Sequence, residues 1–434
     1  MWHNQNDFMQ TTTPSTTNRY AITIIGILFF IFGFVTWLNS SLIPFLKLAC
    51  ELTSDTQAFF VTFAFYMAYF FLAIPSSYIL KKTGFKKGMA LGLLVMAVGS
   101  LVFIPAANSR NFGLFLTGLF VQGMGLAILQ TASNPYISII GPIESAATRI
   151  SILGICNKVA GMLSPLIIGT LVLKNATKIE EQVKVAADVV TKETLLNALA
   201  TRVIVPYIII AIVLVLLAVM VSLSKLPEIK EDSKPTSNND VSAVTKTNVF
   251  QFPHLLLGVL CLFLYVGVEV MAGDIIGSYG KAMGMPLDET KYFTTYTLCA
   301  MLFGYVIGIF TIPKYISQQK ALFVSAITGV IFTVLVFLTT GYTSIVFFAL
   351  LGLANALMWP AIFPLAIARL GKFTKIGAAM LIMGIAGGAL LPLLYATLKD
   401  PIGAFHLSNA LSFLVCMLPC YLYIMYYAVK GYKK

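Results

Sequence analysis

Twelve runs of roughly twenty apolar residues, joined by short polar stretches, make up most of this chain, at 20–46, 56–80, 88–106, 112–141, 150–173, 203–223, 254–280, 292–312, 321–340, 344–368, 376–398 and 403–429. A run of about 20 apolar residues is the length that crosses a hydrocarbon core of about 30 Å as a helix. The pattern predicts an all-α membrane protein with twelve transmembrane helices. The mean hydropathy of +0.88 and a charged fraction of 11% agree, since roughly a quarter of the residues of a soluble domain are charged.

The first run is too long for a signal-peptide core and carries no convincing cleavage site, so it is expected to stay as the first span. Residues 1–19, rich in threonine, read as a disordered tail. An even number of spans puts both termini on one side. Of the 29 Lys and Arg residues, 18 fall on the side of the termini and 10 on the other, five of these in the long 174–202 loop; Lys158 remains within the membrane. The excess of basic loops on the cytoplasmic side places both termini in the cytoplasm of an inner-membrane protein. The net charge of +12 is then a topology signal. Nucleic-acid binding is not expected, because the basic residues are scattered over short loops with no stacking platform or recognition helix. Five of the six cysteines lie inside spans, and neither a CxxC pair nor a nearby His completes a metal site. With no nucleophile elbow or phosphate-binding loop either, an enzyme is not expected, nor a metal or other cofactor.

Residues 225–252 form the longest polar stretch on the side of the termini and divide the chain into halves, 20–224 and 253–430, of six spans each. The halves echo one another. Gly125-Leu126-Ala127 followed by Asn134-Pro135 in span 4 corresponds to Gly352-Leu353-Ala354 followed by Trp359-Pro360 in span 10. Likewise Gly154 and Pro165 in span 5 correspond to Gly384 and Pro392 in span 11. Gly and Pro interruptions at matching places in two halves are the sequence mark of an alternating-access transporter with its site near the midplane.

The loop from Ser77 through Lys81, Lys82, Gly84, Lys86 and Lys87 resembles the signature loop between spans 2 and 3 of the major facilitator superfamily, with Ser77 and Lys81 where that signature has a Gly and an acid. Three longer segments, around Thr36-Trp37-Leu38-Asn39-Ser40, Gln130-Thr131-Ala132-Ser133-Asn134-Pro135 and Gly267-Val268-Glu269, are similar to the fucose/galactose/glucose symporter family within it. So is the segment from Gly352 through Asn355 and Trp359 to Pro360. The resemblance runs from about residue 20 to 428. It implies the major facilitator fold, two pseudo-symmetric six-helix halves that rock about a central site. The family's fucose/proton symporter carries coupling carboxylates at the positions of Ser40 and Gln130, which cannot titrate, and a sugar-contacting Asn at the position of Asn157.

The residues themselves suit a neutral sugar, whose hydroxyls and apolar C–H faces call for amides and a flat ring with few net charges. Trp37 and Trp359 lie well inside spans 1 and 10, too deep for interfacial anchors. Either a sugar or a packed neighbour can take their faces. Asn39, Ser40, Gln130, Asn134, Asn157 and Asn355 concentrate on spans 1, 4, 5 and 10. They are candidate sugar ligands, with helix–helix hydrogen bonding as the structural alternative.

Lys158, Glu269 and Asp274 are the ionisable groups, histidines aside, that lie at depth. Such residues face a cavity or a partner. The five-residue separation of Glu269 and Asp274 puts them about 140° apart with about 7.5 Å of rise on a regular helix, so one is expected in the cavity and the other against a neighbouring helix, paired with Lys158. A structural ion pair is one reading. The other is that span 7 binds the coupling ion, H+ or Na+, and Asp274, set among Gly267, Gly273 and Gly277, is the favoured carboxylate. The expected function is import of a hexose or related sugar by cation symport, carried out by a monomer in the bilayer. An uncoupled facilitator, or a non-transporting sensor on the same fold, is the alternative.

Overall fold

The structure, a computed structural model, describes residues 16–139, 146–186, 188–226, 247–312, 315–400 and 405–434. Residues 1–15 of the tail and 227–246 of the central linker lie outside the described residues. Among the described residues the regular elements are all helical.

Eleven helices among the described residues are long and apolar enough to cross a membrane. The longest, Asp55–Ser109, has 55 residues, about 80 Å at a rise of 1.5 Å per residue, well over twice the hydrocarbon thickness. Gly84 interrupts it with φ 76° and ψ 172°, a conformation that glycine adopts without Cβ strain. Residues on either side of Gly84 are therefore separate crossings, and the total is the expected twelve.

The packing repeats between the halves. Span 1 lies on span 5 and span 7 on span 11, span 3 on span 6 and span 9 on span 12, span 2 on span 4 and span 8 on span 10. The halves meet through span 2 against span 11 and span 5 against span 8. Glycines permit these approaches in both halves: a Cβ on Gly123 of span 4 would come within 2.2 Å of the Phe65 carbonyl oxygen on span 2, and one on Gly352 of span 10 within 2.0 Å of the Thr297 carbonyl oxygen on span 8. Small residues at helix interfaces are what allow backbones to close in this way inside lipid.

Helix breaks are also paired. Span 1 stops at Thr36 and resumes as Asn39–Ala49, while span 7 runs Pro253–Asp274 and resumes as Ile276–Ala282. Span 5 contains a π turn at Pro165–Gly169, and span 11 a 3-10 turn at Gly384–Ala386. Spans 4 and 10 differ, despite their similar sequences. Span 10 breaks between Gly341–Asn355 and Met358–Ile367, whereas Phe112–Ile139 continues through Pro135. Pro360 falls in the first turn of the resumed helix, where its missing N–H removes no intrahelical bond.

Candidate functional site

A cavity of about 110 Å³ lies between the halves, with walls from spans 1, 2, 4, 5, 7, 8, 10 and 11. Gln130, Asn134 and Asn157 line it from the first half. Trp37 and Trp359 face it from opposite halves, and Lys158 and Glu269 meet across it.

Local structure fixes each of these groups. Trp37 sits at the break in span 1, and its ring fills a slot left by two glycines: a Cβ on Gly161 would lie 2.4 Å from its Cδ1, and one on Gly273 1.9 Å from its Cζ3. Its indole Nε1 is buried without a hydrogen-bond partner. Gln130 donates from Nε2 to the Tyr69 hydroxyl at 3.0 Å. Asn157 donates from Nδ2 to the Phe29 carbonyl at 3.4 Å, a contact possible because Gly33 brings span 1 against the Asn157 backbone. Trp359 stacks on Phe363, ring centres 5.9 Å apart and 18° between planes.

The charges are arranged differently from the sequence expectation. Lys158 Nζ lies 2.7 Å from Glu269 Oε1 and 4.5 Å from the centre of the Trp37 ring. The ion pair thus belongs to the cavity carboxylate, not to the one turned away. Asp274 ends the first segment of span 7, only 1% exposed, and both its carboxylate oxygens are buried without a hydrogen-bond partner. Glu269 and Lys158 act on it through their charges, and the Tyr66 hydroxyl is the donor that faces it. The helix is regular from Glu269 to Asp274 and breaks just after it, so the two carboxylates diverge as their spacing requires.

Three further candidates lie away from the cavity lining. Asn355 accepts from the Tyr421 hydroxyl at 2.8 Å and donates to the Val268 carbonyl at 3.4 Å; both ends of its amide tie span 10 to spans 12 and 7. Ser40 donates to the Trp37 carbonyl at 2.8 Å, stitching the span 1 break, and borders a second cavity toward the face opposite the termini. Asn39 is 1% exposed, with neither end of its amide hydrogen-bonded.

Sequence reasoning passed over the tyrosines. Tyr66, Tyr69, Tyr265 and Tyr305 also line the cavity. The three-residue spacing of Tyr66 and Tyr69 puts them on one helix face, but a chain with 19 Tyr and 32 Phe offers many such pairs. Among the described residues no three His, Cys, Asp or Glu side chains are grouped so as to hold a metal ion.

On the face opposite the termini the halves are tied by polar contacts. Asp55 at the start of span 2 is bridged by Lys47 and by Lys399 of span 11, the latter at 2.6 Å. Thr56 donates to Asp400 at 2.8 Å, and Lys281 pairs with Glu180 at 2.8 Å.

The Major Facilitator Superfamily model matches residues 25–392. A glucose/galactose transporter of Brucella abortus is 34% identical over 99% of this chain and 98% of its own length. The L-fucose-proton symporter of Escherichia coli is 28% identical over 87% of this chain and 86% of its own. Among solved structures, the major facilitator transporter FucP in its outward conformation matches with a TM-score of 0.74 at 25% identity, over 95% of this chain and 98% of that one. Its twelve crossings in two halves and the match along nearly its whole length establish that the chain belongs to the Major Facilitator Superfamily, as a multi-pass membrane transporter and not an enzyme.

Proposed function

We propose that this chain imports a hexose or related sugar of the glucose, galactose, fucose and N-acetylglucosamine class across the inner membrane by cation symport, with both termini in the cytoplasm. The observation that carries the reading is the central cavity, where the amides of Gln130, Asn134 and Asn157 lie among Trp37, Trp359 and several tyrosines. Amides and hydroxyls give paired donors and acceptors to sugar hydroxyls, and the rings cover its C–H faces. The relatives named for glucose, galactose and fucose support the substrate class.

Asp274 is the proposed carrier of the coupling ion. Glu269 is neutralised by Lys158 at 2.7 Å, whereas Asp274 is 1% exposed, forms no ion pair and faces the Tyr66 hydroxyl. A carboxylate buried without compensation is strongly disfavoured in its charged form. Asp274 is therefore the carboxylate placed to take up the proton or Na+ of the coupling step and to release it where rocking of the halves admits water. Ser40 and Asn355 are assigned to holding the helix break of span 1 and the interface of span 10 with spans 7 and 12.

Purified protein in proteoliposomes, given a panel of sugars under separately imposed proton and sodium gradients, tests this reading. Uphill accumulation of a hexose under one gradient is the expected result. Exchange without accumulation under either gradient would make the protein a facilitator, a reading favoured by the uncharged Ser40 and Gln130; absence of any sugar flux would remove the sugar assignment.

A further inference from the structure

A further cavity, of about 550 Å³, opens on the side of the first half between spans 1, 5 and 6. It does not touch the central site. Its walls are apolar, from Phe30 and Phe34 of span 1, Ile167 and Leu171 of span 5, and Ile209 and Val213 of span 6. Ile167, Leu171, Ile209 and Val213 are exposed, so the groove opens outward from the bundle, where a membrane protein meets lipid. The π turn at Pro165–Gly169 supplies Ile167, and a π turn inside an α-helix often marks a functional place.

The groove has one charged end. Lys174 and Arg202 border it on the face opposite the termini. Arg202 Nη1 donates to the Lys174 carbonyl at 2.6 Å, which fixes the guanidinium at the mouth and leaves its other N–H groups available. Two carboxylates of the same 174–202 stretch are engaged in ion pairs, Glu180 with Lys184 and Lys281 and Glu193 with Arg110. From Arg202 to Leu214, the deepest wall residue on span 6, twelve residues rise about 18 Å. One leaflet of hydrocarbon, half of about 30 Å, is slightly shorter. The groove therefore has the depth of one acyl chain and a cationic pair at the level of the headgroup.

We propose that this groove holds one anionic glycerophospholipid of the leaflet opposite the termini, its phosphate at Arg202 and Lys174 and an acyl chain along Val205, Ile209 and Val213. Arg suits phosphate through its planar fork of donors, and Lys adds a second positive charge. Spans 1 and 5 carry Trp37, Asn157 and Lys158 into the central cavity and border the groove as well, so an occupied groove braces the two spans that present the site. The lipid site does not depend on the identity of the sugar or coupling ion.

Native mass spectrometry of the full chain, exposed to equimolar phosphatidylglycerol and phosphatidylcholine, tests the proposal directly. The expected result is preferential retention of phosphatidylglycerol, which falls on the order of tenfold in a Lys174→Gln/Arg202→Gln double variant. Lys174→Gln alone, at an exposed position, serves as the milder variant if the double variant fails to melt like the parent. Ile209→Trp, which fills the groove without changing charge, is expected to lower retention of phosphatidylglycerol as well. Equal retention of the two lipids by the parent, an unchanged preference in the charge variants, or unchanged retention in Ile209→Trp overturns the proposal. So does displacement of the lipid by excess inorganic phosphate, which would make the cationic mouth a free-phosphate site.

Discussion

Lys158 of span 5 and Glu269 of span 7 bridge the two halves of the protein across its central cavity, Nζ to Oε1 at 2.7 Å, with the ammonium also 4.5 Å from the centre of the Trp37 ring. The side chains are 7% and 12% exposed, so the pair is largely desolvated. Removing one member of a buried pair leaves the other uncompensated and costs about 3–5 kcal/mol, whereas removing both is far milder. Lys158→Gln and Glu269→Gln are each expected to lose most sugar uptake and to melt lower than the parent. The double variant is expected to melt higher than either single variant. Melting and uptake in a double-mutant cycle check this; purely additive losses would show that the pair is not energetically coupled.

Gly33 and Gly26 lie two turns apart on span 1 in quite different surroundings. A Cβ on Gly33 would stand 1.8 Å from the Asn157 carbonyl oxygen, while one on Gly26 meets only side-chain atoms at 3.8 Å or more. Backbone cannot give way as a side chain does, and forced overpacking costs about 1–3 kcal/mol or more. Gly33→Ala is therefore expected to lower the melting temperature and weaken sugar binding together, because it pushes span 1 away from Asn157. Gly26→Ala is expected to stay within about 0.5 kcal/mol of the parent. Thermal melts and sugar-binding isotherms of the two variants make the comparison; similar behaviour would show that spans 1 and 5 are not held in register at Gly33.

Asp55 joins Lys47 of its own half to Lys399 of the other on the face opposite the termini. Lys399 is 7% exposed at its side chain, so its charge depends on that carboxylate. Asp55→Asn removes the negative charge from between two cations and favours separation of the halves at this end. The expected outcome is faster labelling, by a membrane-impermeant thiol reagent, of a cysteine placed at Ser278, which borders the cavity beneath these contacts. Labelling at the parental rate would mean that Thr56–Asp400 and Glu180–Lys281 hold the face closed without Asp55.

Much of the fold was legible because lipid imposes a simple rule on the chain. Apolar runs of spanning length gave the twelve crossings, including the two on either side of Gly84 that form one continuous helical stretch by hydrogen bonding alone. Depth along a helix was also readable, as Trp37, Gln130, Asn157, Lys158 and Glu269 all line one cavity. The facing of side chains was harder to read. Asn355 and Asn134 look alike in sequence, yet Asn355 is consumed by Tyr421 and Val268 while Asn134 lines the cavity. They stand at different places in the repeat, Asn355 three residues after Gly352 and Asn134 nine after the matching Gly125, so the likeness of the two spans does not give them the same face. The sequence left open which carboxylate pairs with Lys158, for a related reason: the rotation between Glu269 and Asp274 follows from spacing, but which of them faces span 5 depends on how span 7 is turned against its neighbours.

Asp274 provides the sharpest separation between coupling and sugar binding. It is buried and absent from the cavity lining, so replacing it with the neutral, nearly isosteric Asn leaves the sugar contacts in place. Asp274→Asn is expected to keep sugar binding and sugar exchange within a few-fold of the parent while abolishing gradient-driven accumulation. Glu269→Gln, which disturbs the cavity itself, is expected to impair binding and exchange as well. Proteoliposomes loaded with sugar for exchange, or energised with a proton or sodium gradient for accumulation, measure both quantities on one preparation. Accumulation by Asp274→Asn equal to that of the parent would remove Asp274 from the coupling step, and leave Glu269, released from Lys158 by the arriving sugar, as the carboxylate able to take up the ion.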